Sequence, residues 1–312
     1  MMFARPHVVV VVDLRGRVVA KLIGYRLAPE SGDPLVDPMV QQEVGGTYLT
    51  PALPVLVGPG KSVWELSGRR LARLRRGLIP LPGGADIVGR VAGKRSDGSP
   101  IVSVTVRDAK THRLLEPASA TSWFVAGHLL VDPSFVTDLV TRRQWRLPVG
   151  VIWAQGVGAD TCNPAGIVGD AVVAVCAIVR KNGAAVVRAF AVQHDGRRVP
   201  VSGPFRYANF GAETALLSPD GKHVAATLAV GCGLSPSIVA GTNGGAPHDL
   251  GQSYALGWSG AGRIVAEFAH GECTKTSPPE VDLVDPTTFA RSTVYVLPKD
   301  TQGFAFWSSD TA

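Results

Sequence analysis

Apolar and polar positions along this chain alternate in short runs, and a period of two predicts strands rather than helices. Val8–Val12 is followed by Asp13-Leu14-Arg15-Gly16-Arg17 and then by Val18-Val19. That order, apolar strand, polar turn, apolar strand, returns in Ser62–Arg69 around Glu65, Val102–Leu115 around Asp108, Phe135–Leu147 around Asp138 and Val187–Val201 around Asp195-Gly196. Weaker instances surround Asn243-Gly244 and Asp285-Pro286. The turns recur at a mean step of about 45 residues. No stretch of twelve or more residues carries helical periodicity, and Ser31–Gly46, the least patterned region, is expected to be a long loop.

Internal repetition sharpens this. Ser218-Pro219-Asp220-Gly221-Lys222-His223-Val224-Ala225-Ala226-Thr227 aligns without gaps on Ser259-Gly260-Ala261-Gly262-Arg263-Ile264-Val265-Ala266-Glu267-Phe268, and the offset of 41 residues also carries Cys232 onto Cys273. Each copy has an apolar run, a turn containing Gly and a second alternating run, which predicts a β-hairpin. A third copy begins at Phe304-Ala305-Phe306-Trp307. Four short strands with their turns need about 40–50 residues, one propeller blade. The expected fold is therefore all-β: a single β-propeller domain over residues 1–312, with about seven four-stranded blades, six fitting if some carry insertions. Joining the first-strand pattern at Phe304–Asp310 to the apolar strand Val8–Val12 in one blade would close the ring and remove open sheet edges.

Ser218-Pro219-Asp220-Gly221-Lys222 and the strand after it resemble the WD40-like repeat of the TolB family. Val63-Trp64-Glu65-Leu66-Ser67-Gly68-Arg69-Arg70-Leu71 is similar to the outer-strand pattern of WD40 repeats. The match covers about a quarter of the chain; the Gly-His and Trp-Asp signatures do not recur, and Gly260-Ala261 stands where Pro-Asp is usual. The resemblance implies a protein-interaction scaffold, often extracytoplasmic, with no catalytic residues to carry over.

Composition changes this picture little. Gly (36) and Pro (23) in 312 residues suit a turn-rich fold, and 46% apolar residues can fill a core. The longest uninterrupted apolar run, Ala171–Val179, is far short of a membrane span. Met1–Val12 lacks a small-residue cleavage site, so no signal peptide is read there, and the compartment stays open. The net charge of +6 permits anionic partners without requiring them. The dense basic run, Arg69–Arg76, is interleaved with apolar residues at strand spacing, so most of its arginines are expected to face solvent from one strand face. No nucleic-acid-binding signature accompanies it, and nucleic acid is not an expected partner.

Candidate chemistry is sparse. Cys162, Cys176, Cys232 and Cys273 allow three pairings, of which Cys232–Cys273 and Cys162–Cys176 are the candidates. Cys176 also reads as a buried small hydrophobe. Pairing would indicate an oxidising, extracytoplasmic compartment. No cysteine pair has zinc spacing, and the seven histidines show no HxH or HxxxH pattern. His194-Asp195 and His248-Asp249 read as turns whose Asp caps its own backbone. Gly58-Pro59-Gly60-Lys61-Ser62 lacks the first Gly of a phosphate-binding loop, and Gly257-Trp258-Ser259-Gly260-Ala261 lacks the final Gly of a nucleophile elbow. Gly241–Gly245 is a plain turn former. Trp258 and Trp307 share a repeat position, which favours packing between blades, whereas Trp153 is the candidate exposed aromatic.

Three functions are compatible with this reading. The first is a non-catalytic propeller, expected to be monomeric, that binds a protein or cell-envelope component; no cofactor or catalytic residue is assigned to it. The second is a hydrolase or lactonase with a divalent metal, carboxylates or histidines at the central channel. The third is a carbohydrate- or ligand-binding, lectin-like propeller.

Overall fold

The computed structural model describes residues 1–28, 33–36, 55–67, 70–115, 124–126, 129–132, 135–146, 161–179, 185–193, 195–207, 212–228, 236–268, 271–272, 275–276 and 279–306. Among these the repeating structure is antiparallel β-sheet, apart from two single 3-10 turns, Pro59–Lys61 and Pro82–Gly84. The all-β expectation holds. No helix is long and apolar enough to cross a membrane among the described residues. The chain divides into two compact units, one made of Met1–Asp132, Thr137–Gln144 and Asp300–Ala312, the other of Pro133–Val136 and Trp145–Lys299.

In the first unit, one sheet runs Gly303–Ala305, Met2–Arg5, Val8–Val12, Val18–Ile23. Strands from the two ends of the chain do pair, with Met2 opposite Ala305 and Ala4 opposite Gly303, but through Met2–Arg5 rather than through Val8–Val12. An ion pair between Arg5 and Asp300 (2.9 Å) flanks the contact. Val8–Val12 is thereby an inner strand, and Val9 to Val12 are all buried. That double burial is why it reads as an unbroken apolar run.

A second sheet runs Arg26–Leu27, Val55–Val57, Val63–Ser67, Arg70–Leu74. It corrects two expectations. Glu65 is not a turn residue: it lies mid-strand between Val55 and Ala72, on the face that also carries Val63, while Leu66 joins a second core on the opposite face. Arg70, Arg73, Arg75 and Arg76 do face solvent, Arg69 lying outside the described residues, but Arg70 and Arg73 have opposite parity in their strand. They are exposed because Arg70–Leu74 is the sheet's edge, where cations discourage unwanted pairing. The third sheet has three strands, in the order Pro100–Asp108, Ala85–Lys94, Leu78–Leu81. Its inner face joins Ile79, Ile87 and Val106 to Val55, Val63, Leu130 and Leu139 in one core.

In the second unit, Thr161–Val168, Ala171–Val179, Ala185–Val192 and Arg198–Pro200 form a meander. Two further four-stranded meanders share one strand, His248–Trp258. Its first half pairs with Pro236–Gly241 and its second half with Ile264–Phe268. Changing partners leaves backbone groups without a ladder, and buried hydroxyls take them up. The Ala255 N–H donates to Thr227 Oγ1 (2.9 Å) and Ser237 Oγ (3.1 Å), and the Ser237 hydroxyl donates to the Ser253 carbonyl (2.8 Å). Thr227 and Ser237 are fully buried, so each of these bonds prevents an unsatisfied polar group.

The repeat predicted from sequence is these two meanders, with one local departure. The first hairpin closes from the Ser218 N–H to the His223 carbonyl, the second from the Ser259 N–H to the Arg263 carbonyl, so the second turn is one residue shorter. Trp258 lies in the core with Ile264, Val239 and Ala225 and donates its indole N–H to the Leu216 carbonyl (3.2 Å). The packing role expected for Trp258 is present, while Trp307 and Trp153 lie outside the described residues.

Candidate functional site

The chemistry-bearing side chains of the described residues concentrate in the turns. Three turns share one construction: Asp108–Arg113, Asp138–Arg143 and Asp285–Ala290. In each, Asp Oδ1 accepts the N–H groups of the second and third residues after it: Lys110 and Thr111, Val140 and Thr141, Thr287 and Thr288. The Asp carbonyl accepts the N–H of the fourth residue after it, which has positive φ: His112 at 58°, Arg142 at 61° and Phe289 at 60°. Sequence analysis located all three Asp residues but missed the Asp-x-x-Thr spacing, which was legible. The left-handed fourth position was hidden, because none of the three residues there is Gly.

Their side chains show what that strained position supports. In the first unit Arg142 Nη2 reaches the Asp108 carboxylate (2.8 Å) and the carbonyls of Gly83 (3.0 Å) and Gly84 (3.3 Å). Ala109 N–H also donates to Gly84 O (2.9 Å). The Pro82–Gly84, Asp108 and Asp138 turns are thus clamped together. Gly83 is required twice over there, by its φ of 71° and because a Cβ would collide with the Leu139 carbonyl. In the second unit Phe289 stacks on His248 with ring centroids 3.6 Å apart.

Electrostatics separates the carboxylates into two groups. The N–H and hydroxyl of Thr111, helped by Lys110 N–H and Arg142, hold Asp108 down at about 2. The N–H groups of Thr288 and Thr287 likewise lower Asp285. Asp86, beside Asp108 and His112, moves the other way: burial raises it, Asp108's charge adds to this, and His112 opposes it. Burial also raises Glu65 and, on the strand Ile264–Phe268, Glu267. A carboxyl of the second kind keeps its proton to higher pH and can act as an acid; one of the first kind is a fixed acceptor.

The other candidates resolve as follows. Cys162 and Cys176 are directly opposite in neighbouring strands, both buried, and form a disulfide. Cys232, Cys273 and His194 lie outside the described residues. Asp195 and Asp249 accept the N–H groups of Arg197 (2.9 Å) and Gly251 (2.7 Å), the capping expected of turns. Among the described residues no group of three or more His, Cys, Asp or Glu is arranged to hold a metal. Gly58–Ser62 is a tight turn followed by a strand; the Ser62 hydroxyl donates to the Pro59 carbonyl and accepts the Trp64 indole N–H. Ser259 occupies a hairpin turn, where its hydroxyl accepts the Arg263 N–H (3.0 Å).

No protein-family model matches this sequence, and no curated protein matches it significantly. Among solved structures, the chain is similar to one of two prolyl endopeptidases at 11% identity and TM-score 0.45, over 78% of this chain and 38% of that one. It is similar to a puromycin-hydrolysing peptidase of Mycobacterium tuberculosis at 15% identity and TM-score 0.39, over 88% and 49% respectively. It is also similar to the hydrazine synthase of Kuenenia stuttgartiensis at 15% identity and TM-score 0.37, over 77% and 79%. The chain spans less than half the length of the two peptidases, and scores this low decide neither fold nor activity.

Proposed function

We propose that this chain is a non-catalytic β-propeller, one domain of about seven blades closed by its terminal strands, that serves as a monomeric binding scaffold for a protein or cell-envelope component. The observation that carries the reading is how the turn carboxylates are used. Asp108, Asp138 and Asp285 each accept their own turn's backbone, as do Asp13, Asp195, Asp220 and Asp249. Residues committed in this way stiffen the connections between strands and leave the surface to recognition. The shared strand His248–Trp258 supports the propeller part of the reading, because it ends one four-stranded meander and begins the next. The Cys162–Cys176 disulfide supports an oxidising compartment.

A hydrolase reading draws on Glu267 and Asp86, whose carboxyls are raised by burial. The test is a panel of ester, lactone and peptide substrates given to the wild type, Glu267→Gln and Asp86→Asn, alongside in-cell crosslinking of the three proteins. The scaffold reading expects no turnover and one stoichiometric crosslinked partner retained by all three. Turnover that either substitution abolishes would overturn it.

A further inference from the structure

The turn at residues 242–247, between the strands Pro236–Gly241 and His248–Trp258, is held from two sides. On one side Thr242 donates its N–H to the Lys222 carbonyl and its hydroxyl to the Gly221 carbonyl (both 2.8 Å), which ties the turn to its own meander. On the other side it meets residues 201–203, which follow the last strand of the preceding meander, Arg198–Pro200. Gly244 N–H donates to the Val201 carbonyl (2.8 Å), and Gly203 N–H donates to the Gly245 carbonyl (2.7 Å). These two backbone bonds form a joint between the meanders.

The joint has no slack. A Cβ on Gly203 would lie 3.1 Å from Ala246 Cα and 3.2 Å from the Gly245 carbonyl oxygen, contacts that the turn could relieve only by moving away. Gly203 does not have positive φ, so glycine serves there to permit close approach rather than a left-handed backbone.

Inside this joint sits an Asn–Gly pair. Asn243 is exposed, its Oδ1 accepts the Gly245 N–H (3.4 Å), and its amide nitrogen has no hydrogen-bond partner among the described residues. Gly244 follows with φ of 94°, and a Cβ there would meet nothing within 4 Å, so no side chain shields its nitrogen. Asparagine is thermolabile because the next backbone nitrogen can attack its side-chain carbonyl carbon, and glycine in the next position leaves that nitrogen most open. The attack requires the Gly244 nitrogen to give up its proton and turn towards Asn243 Cγ. In the closed joint that N–H is bound to the Val201 carbonyl, which withholds the nitrogen.

We propose that Asn243 is a modification site gated by this joint: local separation of the two meanders lets Asn243 deamidate, and the product keeps the joint open. The Gly244 nitrogen bonds to Asn243 Cγ, and the side-chain amide leaves as ammonia, taking up the proton from that nitrogen, to give a five-membered succinimide. Water then adds to one of the two succinimide carbonyls. Opening at one carbonyl restores the original main chain with aspartate at position 243. Opening at the other routes the main chain through Cγ, as isoaspartate. The isoaspartate form has one more main-chain carbon before residue 244, which moves the Gly244 N–H and the Gly245 carbonyl out of register with Val201 and Gly203.

The test follows conversion at Asn243 in the full chain by peptide mapping and mass spectrometry at neutral pH, with a synthetic peptide of residues 239–248 as the unrestrained reference. The wild type is expected to react at least tenfold more slowly than the peptide. Gly203→Ala presses on the turn from outside, leaves the Asn–Gly pair intact and is expected to raise the rate at least threefold. If this variant folds poorly, the wild type in urea below its unfolding midpoint takes its place, and conversion is expected to rise in step with hydrogen exchange at the Gly244 N–H. In the purified isoaspartate form, exchange at the Gly203 and Gly244 N–H groups is expected to be at least tenfold faster than in the unmodified chain. Four results each overturn the proposal: a wild type as fast as the peptide, no acceleration in folded Gly203→Ala, conversion independent of Gly244 exchange, or unchanged exchange in the isoaspartate form. None of them bears on the scaffold reading, which stands or falls on turnover and crosslinking.

Discussion

The double meander of residues 212–296 and the ribbon of residues 85–108 are built from similar sequence material, yet their strand ends meet different fates. In the meander, the strand that runs out of partners in one sheet is taken up by the next, and buried hydroxyls on Thr227 and Ser237 take the backbone groups exposed by the exchange. In the ribbon the strands run past their third partner, and Val91, on the face that begins with buried Ile87 and Val106, is left uncovered. The difference teaches that alternation forms the strand, but what lies beside it decides whether its apolar face is core or surface.

The comparison breaks most visibly at Trp258, which fills the meander core and bonds to the Leu216 carbonyl. Trp258→Ala is expected to cost about 3–5 kcal/mol in denaturant unfolding. A loss of less than about 1 kcal/mol would mean that the two meanders do not depend on this contact. Ser237→Ala is expected to cost about 1–3 kcal/mol, because the Ser253 carbonyl loses its buried donor. The same Ser→Ala change at Ser103, exposed on the ribbon, should leave stability within about 0.5 kcal/mol.

At the turn that ends the ribbon's second strand, His112→Gly is expected to raise stability by up to about 1 kcal/mol, since φ of 58° suits glycine and the His side chain is exposed. A drop in Tm would show that His112 makes a contact worth more than its backbone strain. The Asp108 carboxyl, held at about 2 against an ordinary value of 3.8, contributes above the ordinary value and loses its contribution as pH falls through about 2. Hydrogen exchange at the Thr111 N–H should therefore stay slow at pH 5 and lose protection towards pH 2. The smallest effect belongs to Val91→Thr, expected to change stability by less than about 0.5 kcal/mol because the side chain is largely in water.

Much of this was legible in sequence. Alternation and turn residues located the hairpins at Asp13, Asp108, Asp138, Asp195 and Asp285, and the 41-residue offset found the two meanders. Glu65 was misplaced because a polar residue inside an apolar run reads as a turn, while a half-buried position beside the exposed Ala72 of the neighbouring strand accommodates it. The Arg142 clamp was illegible, since its partners Gly83, Gly84 and Asp108 are 59, 58 and 34 residues away.

The sequence by itself determined strand, turn and repeat, because these depend on neighbours one to five residues away: alternation for burial, Asp-x-x-Thr for capping. Tertiary structure alone decided that Val8–Val12 is an inner strand beside Met2–Arg5, that Cys162 faces Cys176, and that the ribbon's apolar row ends uncovered. Each of those outcomes depends on which strand lies alongside, and register between distant strands is set by the packing of whole faces rather than by any local pattern.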